Sequence, residues 1–302
     1  MKMKKFMAAM LAVSMMAAFA GCAKVKSISG DDFRAACDSL GASEVDPEDN
    51  TSDLEEDELE DGFYMIMDSD YIEEHMGDVN YMTSELSTFG VGTTDIEQII
   101  EADDIEEMTV YGRADQNIDD IDSPEDIGDL TINAVIAAQI TLNDADKSED
   151  IMEGLANAFD EYGIDVEDLS SDEYYVGKNE GYLKINVSVE DLVAAFTESD
   201  IYDIITSMSD DFDVDDYTED MTGSASIAFY VKGENVILVL NLNINEDPSF
   251  CNDFCSELGV ADPSKLPSNT MLAESICDYL DDTLGSMLTG YMSMATSYST
   301  DY

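Results

Sequence analysis

The chain has 302 residues, of which 70 are Asp or Glu and 12 are Lys or Arg, for a formal net charge of −58 at pH 7. So large an acidic excess repels nucleic acid and anionic lipid surfaces, which excludes DNA or RNA as partners of the folded chain. A hydrophobic content of 44% in periodic arrangement excludes disorder of the whole chain. The composition has one His and no Trp. His75 alone cannot furnish a multi-histidine centre and leaves little room for Ser-His or Cys-His catalysis.

The chain opens with a cationic stretch (Lys2, Lys4, Lys5), an apolar run from Phe6 to Ala20, and Phe19-Ala20-Gly21-Cys22. This is the layout of a secretory signal, and its apolar run is short for a permanent membrane span. Cysteine directly after Ala-Gly resembles the lipobox of bacterial lipoproteins, with Phe19 standing where that family usually has Leu. The resemblance covers only these 22 residues. It implies removal of residues 1–21, a diacylglyceryl group on Cys22, and residence on the extracytoplasmic face of a membrane. Two acyl chains anchor stably where one does not. Residues 22–29 would then be the lipidated cysteine and a short tether.

Ser29 with Asp32 forms a capping box for a helix bearing Phe33, Ala36, Cys37 and Leu40, which Gly41 ends. Asp46 to Asp61, with ten acids in sixteen residues, reads as a solvated loop. A strand at 62–69, a short helix at 70–76, a helix capped by Thr94 and a strand at 107–114 follow. After an acidic loop, 130–143 alternates as a longer strand. Ser148 starts a helix ended by Gly163. Residues 172–176 and 181–187 pair as a hairpin, and Ser188 with Asp191 caps a helix. A further helix spans 200–209. Residues 224–231 and 235–245 form a hairpin around Gly233. Asp247-Pro248 reads as N-cap and first residue of a helix ending at Gly259, and a long amphipathic helix runs from about 270 to 294.

Two gapless matches suggest a duplication. Gly62–Ser69 (GFYMIMDS) lies over Gly181–Ser188 (GYLKINVS), and Asn133–Asp144 (NAVIAAQITLND) over Asn235–Glu246 (NVILVLNLNINE). The expected fold is α+β, with two tandem helix/strand/helix/β-hairpin repeats at 30–146 and 147–246, followed by a C-terminal helical segment at 247–302.

No motif names a reaction. Asp211, Asp213 and Asp215 alternate like the first half of a calcium loop, since hard cations take several oxygen ligands. Asp216 then stands where the loop needs Gly, and Thr222 where it needs a bidentate Glu. Calcium at these three aspartates is the one cofactor the sequence suggests. Export permits disulfides among Cys37, Cys251, Cys255 and Cys277, but Cys251 and Cys255 share a helical face with Phe254 and Leu258, as small core residues would. Without a CxxC pair or histidine partners, the pattern argues against structural zinc. The reading is a lipid-anchored, non-enzymatic interaction protein for a cationic peptide, another envelope protein or metal ions. The alternatives are a carboxylate-based hydrolase, which would need one carboxyl of raised pKa, and an envelope spacer.

The anchor reading predicts that mass spectrometry finds diacylated Cys22 at the mature N-terminus, and that Cys22→Ser loses the lipid. An unmodified terminus at Gly21 or Ala23 would remove the lipoprotein assignment.

Overall fold

The computed structural model describes residues 25–48, 56–74, 102–117, 128–161, 165–199 and 221–280, with Tyr202, Thr206 and Thr218 singly. The first helix, α1 (Gly30–Ser39), starts at the expected capping box. Ser29 Oγ accepts from the Asp32 amide at 3.2 Å, and the Asp32 carboxylate accepts from the Ser29 amide at 3.2 Å. Gly41 leaves the helix at φ +83°, a conformation that favours glycine. The residues preceding α1 are not a free tether. Val25 and Ile28 are buried in the core, and Lys26 Nζ donates to the Leu258 carbonyl at 2.7 Å.

Eight strands form one mixed sheet: β1 (Ser43–Glu44), β2 (Phe63–Asp68), β3 (Ile105–Gln116), β4 (Ile132–Leu142), β5 (Tyr174–Gly177), β6 (Glu180–Ser188), β7 (Gly223–Lys232) and β8 (Asn235–Ile244). Their spatial order is β1-β2-β3-β4-β8-β7-β6-β5. β1 runs parallel to β2, and every other neighbouring pair is antiparallel. The two expected hairpins are present: β5 pairs with β6, and β7 with β8 around Gly233 at φ +59°. The chain is therefore α+β.

Because side chains alternate across a strand, the sheet has two distinct faces. On the first, α1 and α5 (Ser249–Leu258) cover Tyr64, Tyr111, Val135, Ala137, Ala228, Tyr230, Ile237 and Val239. At its centre Phe254 stacks on Tyr111 with ring centroids 4.6 Å apart and meets Phe33 edge-on at 5.4 Å. On the second face, α3 (Ser148–Glu161), α4 (Val189–Thr197) and α6 (Thr270–Leu280) pack over Leu183, Ile185, Val187, Phe229, Val231 and Val236. The expected Ser188–Asp191 cap of α4 is present, with Ser188 Oγ accepting from the Asp191 amide at 3.1 Å.

Two local expectations are corrected. The acidic stretch 46–61 is not all loop, because Glu56–Asp61 forms a helix, α2. Arg113 Nε donates to the Glu60 carbonyl at 2.7 Å, placing a cation at the end of the helix where carbonyls are unpaired. Helix α5 begins at Ser249 with Pro248 as its N-cap and no side-chain cap bond, so Asp247 does not cap it. The strand order is mirrored about the β4–β8 pair, but α1 lies on the first face and α3 on the second. Within the sequence matches, Asn133 and Asn235 share a face, whereas Tyr64 and Leu183 lie on opposite faces. The expected helices after Thr94 and beyond Leu280 lie outside the described residues, as does most of the one at 200–209.

The aromatic stack makes α5 the main cover of the first face. Phe254→Ala should cost about 3–5 kcal/mol of stability, read as a lower urea midpoint at unchanged slope. A loss under about 1 kcal/mol would show that the stack does not hold α5.

Candidate functional site

Among the described residues, the second face is covered at the β5–β7 end and left open toward the middle. Ile136 on β4 is 54% exposed, and Leu240 and Leu242 on β8 are 37% and 40% exposed. Ile136 sits directly opposite Leu240, and Ala134 opposite Leu242. Across β4, Ile136 is paired with Gly112, whose missing side chain seats the Phe63 ring; a Cβ there would meet the ring at 2.8 Å. Phe63, Met65, Met108, Val110, Ala114 and Ile244 extend the same face and are half-buried. Scattered exposed apolar residues are ordinary, whereas contiguous ones on adjacent central strands mark a surface suited to contact.

Most of the described cations are engaged in contacts within the chain, while Lys178 in the β5–β6 turn is exposed. Arg34 bridges α1 to β3 through Glu107 at 2.6 Å and also holds Asp31. Lys147 pairs with Asp104 at 2.9 Å, Lys232 with Glu180, and Lys265 with Asp262 at 3.1 Å. The Arg113 guanidinium lies 3.9 Å from the centre of the Phe250 ring, and Lys184 Nζ lies 4.5 Å from that of Tyr182. The exposed carboxylates are thus left largely unrelieved.

The first face carries a polar lattice beyond its aromatic centre. Asn133, Asn243, Ser224 and Ser188 form one cross-strand row, with Asn241, Ser226 and Asn186 in the next. Asn186 donates to the Leu266 carbonyl at 2.9 Å and Ser268 Oγ accepts from the Ser188 amide at 2.8 Å, tying residues 266–268 to β6. Beside it, Glu173 accepts from Asn269 at 3.0 Å and from the Ser170 amide at 2.9 Å. Burial alone would raise the Glu173 pKa; those hydrogen bonds and the Lys184 charge outweigh it and hold the carboxyl below its ordinary range. Burial lowers the Lys184 pKa.

Cys251 and Cys255 are core residues as expected, and they, Cys37 and Cys277 are all buried and in no disulfide. Burial pushes the Cys37 thiol up to about 12. The hydrogen bond to Cys255, with burial, pushes Cys251 higher still, so neither is a thiolate nucleophile at neutral pH. What the sequence pattern did not bring together is Asp262. Gly259, at φ +69°, turns the chain back along α5, and Asp262 Oδ1 comes to 3.5 Å from Cys251 Sγ, which is itself 3.9 Å from Cys255 Sγ. A carboxylate drawn against buried thiols was the missed element, signalled only by the Leu-Gly ending followed by Asp-Pro. Asp211, Asp213 and Asp215, the expected calcium ligands, lie outside the described residues, as do Cys22 and His75. Asp32 is lowered by its hydrogen bonds from Ser29, and Glu173 is also lowered. Neither is the raised-pKa acid that a glycosidase pair requires.

No family model, curated protein or solved structure matches the chain.

A carboxyl with a lowered folded-state pKa contributes stability that is complete above the unfolded-state pKa. That stability is lost as pH falls through the folded value. Glu173→Gln, which keeps an acceptor for Asn269, should therefore flatten part of the acid limb of stability below about pH 4.3. The check is urea midpoints against pH for both chains, and parallel limbs would contradict the assignment.

Proposed function

We propose that the protein is a lipid-anchored interaction protein of the extracytoplasmic membrane face. It takes a cationic, amphipathic segment of another envelope protein on the open sheet face around Ile136, Leu240 and Leu242. The observation that carries this reading is the contiguous exposure of those three side chains on the adjacent central strands β4 and β8. The net charge of −58 selects the partner's sign, since complementary charge speeds encounter and suppresses wrong partners. The apolar strip supplies what charge alone cannot, a buried patch at the centre of contact.

We also propose that the two halves descend from a duplicated unit of helix, short edge strand, strand, helix and paired strands. What supports it is the mirrored strand order about β4 and β8, and the helical residues 69–74 and α4 directly after the matched strands β2 and β6. The opposite placement of α1 and α3, the opposite faces of the matched Tyr64 and Leu183, and the parallel β1 against the antiparallel β5 are then divergence. An experimental structure should let the two halves superpose about an axis normal to the sheet, with 69–74 falling on α4. Those helices on opposite faces after superposition would refute the duplication.

The absence of Trp allows a direct binding test. A Lys/Leu amphipathic peptide carrying one Trp is titrated with the full chain in detergent, and peptide fluorescence reports binding. Ile136→Asp with Leu240→Asp should weaken that peptide by at least about tenfold, roughly 1.4 kcal/mol. A peptide of equal charge without an apolar face should bind weakly and lose affinity with salt. Equal affinity of both peptides, or no effect of the double substitution, would reduce the interaction to diffuse charge and overturn the proposed surface.

A further inference from the structure

We propose that Cys251, Cys255 and Asp262 form a binding site for a thiophilic, tetrahedral divalent ion such as zinc. Three ligands come from the protein and one position is left to water. Cys251 and Cys255 stand one turn apart on the inward face of α5, with exposures of 0% and 1%. Tetrahedral zinc has Zn–S distances of about 2.3 Å and Zn–O of about 2.0–2.2 Å, which places two sulfurs about 3.8 Å apart and a sulfur about 3.5 Å from an oxygen. The corresponding separations here are 3.9 Å between the sulfurs and 3.5 Å from Cys251 Sγ to Asp262 Oδ1. All three donor atoms lie within 4.8 Å of one another, so the remaining edge closes with a movement of at most about 1.3 Å from Asp262 or Cys255.

The carboxylate is held as a ligand would be. Its side chain is 6% exposed, Oδ1 accepts from the Ser264 amide at 3.0 Å and from Ser264 Oγ at 2.7 Å, and Oδ2 pairs with Lys265 at 3.1 Å. Such outer contacts orient a metal-binding oxygen. A purely apolar role for the two cysteines explains their burial. Asp262 also caps the short turn Pro263–Lys265 and accepts from the Cys251 thiol, but a cap does not require its carboxylate to be buried beside thiols, a cost that one Lys offsets only in part. The segment that carries Asp262 is fixed by Gly259 at φ +69° and by the Tyr230 hydroxyl, which donates to the Ala261 carbonyl. The spacing is Cys-x-x-x-Cys on a helix with an oxygen donor from beyond its C-terminus, unlike the CxxC pattern of common structural zinc sites.

Binding requires both thiols to ionise, so each bound ion releases two protons, and no redox change occurs. The ion would pin the loop after α5 to the helix beside the Phe254 stack.

The test uses the full chain, reduced and purified in detergent, titrated with cobalt(II). The many surface carboxylates bind cobalt through oxygen and give no sulfur-to-cobalt band, so a near-ultraviolet charge-transfer band reports the thiolates alone. The expected result is a band saturating at one cobalt per chain, displaced by zinc, with two protons released in weak buffer. Asp262→Asn should weaken cobalt by at least tenfold. Cys251→Ser and Cys255→Ser should abolish the band, while Cys37→Ser and Cys277→Ser retain it. If the α5 substitutions disturb folding, as judged by circular dichroism, the wild-type band and the Asp262→Asn chain decide. No band in the wild type, or a band untouched by Asp262→Asn and carried by Cys37 or Cys277, would overturn the site.

Discussion

The pairing of β4 with β8 is the constraint on which the rest of the structure depends. Ten residue pairs, from Ile132 opposite Ile244 to Thr141 opposite Asn235, join the two halves of the sheet. Their alternation decides what each face contains. Odd-numbered positions on both strands send Val135, Ala137, Ile237 and Val239 under α1 and α5, and even-numbered ones send Ile136, Leu240 and Leu242 to the other side. A slip of one residue would exchange these sets and set Asn241 and Asn243 against solvent. The small Ala137 opposite Val239 gives α5 a close approach to the sheet, and the Phe254–Tyr111 stack fills it. The open surface and the face on which α5 packs both follow from this one register.

Charge acts on a different scale. The cations join elements distant in sequence: Arg34 joins α1 to β3, Lys232 pairs β7 with β6, and Lys26 ties the segment before α1 to the end of α5. Exposed ion pairs of this kind contribute little each. Their effect is to pair most of the described cations, so carboxylates dominate the potential of the surface. Net repulsion on this scale opposes compaction, and the fold resists it with two separate apolar layers.

Much of the local structure was legible in the chain. The Ser29–Asp32 and Ser188–Asp191 caps, the alternation in β4 and β8, the turn at Gly233 and the shared face of Cys251, Cys255, Phe254 and Leu258 all appear as read. These are short-range signals, each carried by residues within a turn or a strand. The order of strands and the face that each helix covers were not legible. Period-two alternation marks two faces without saying which is covered, so it could not tell the exposed Ile136 and Leu240 from the buried Val135 and Val239. The same limit affected the donor set. Cys251 and Cys255 alone lacked a metal motif, and Asp262 joins them only after the left-handed turn at Gly259. The acidic 56–61 segment reads as loop by charge, and its helix depends in part on Arg113 from a distant strand.

Val25 and Ile28 are buried in the layer between α1, α5 and the sheet. In a chain lipidated at Cys22, as proposed, only Ala23 and Lys24 separate the lipid from that layer, a reach of about 10 Å at most. The mechanical consequence is that a pull on the anchor enters the molecule through its interior. Extraction force would load Ile28 and the Lys26–Leu258 contact before any flexible leash could extend. Such a domain has little freedom to tumble above the bilayer, so the angle at which its open face meets a neighbour would be set by the fold.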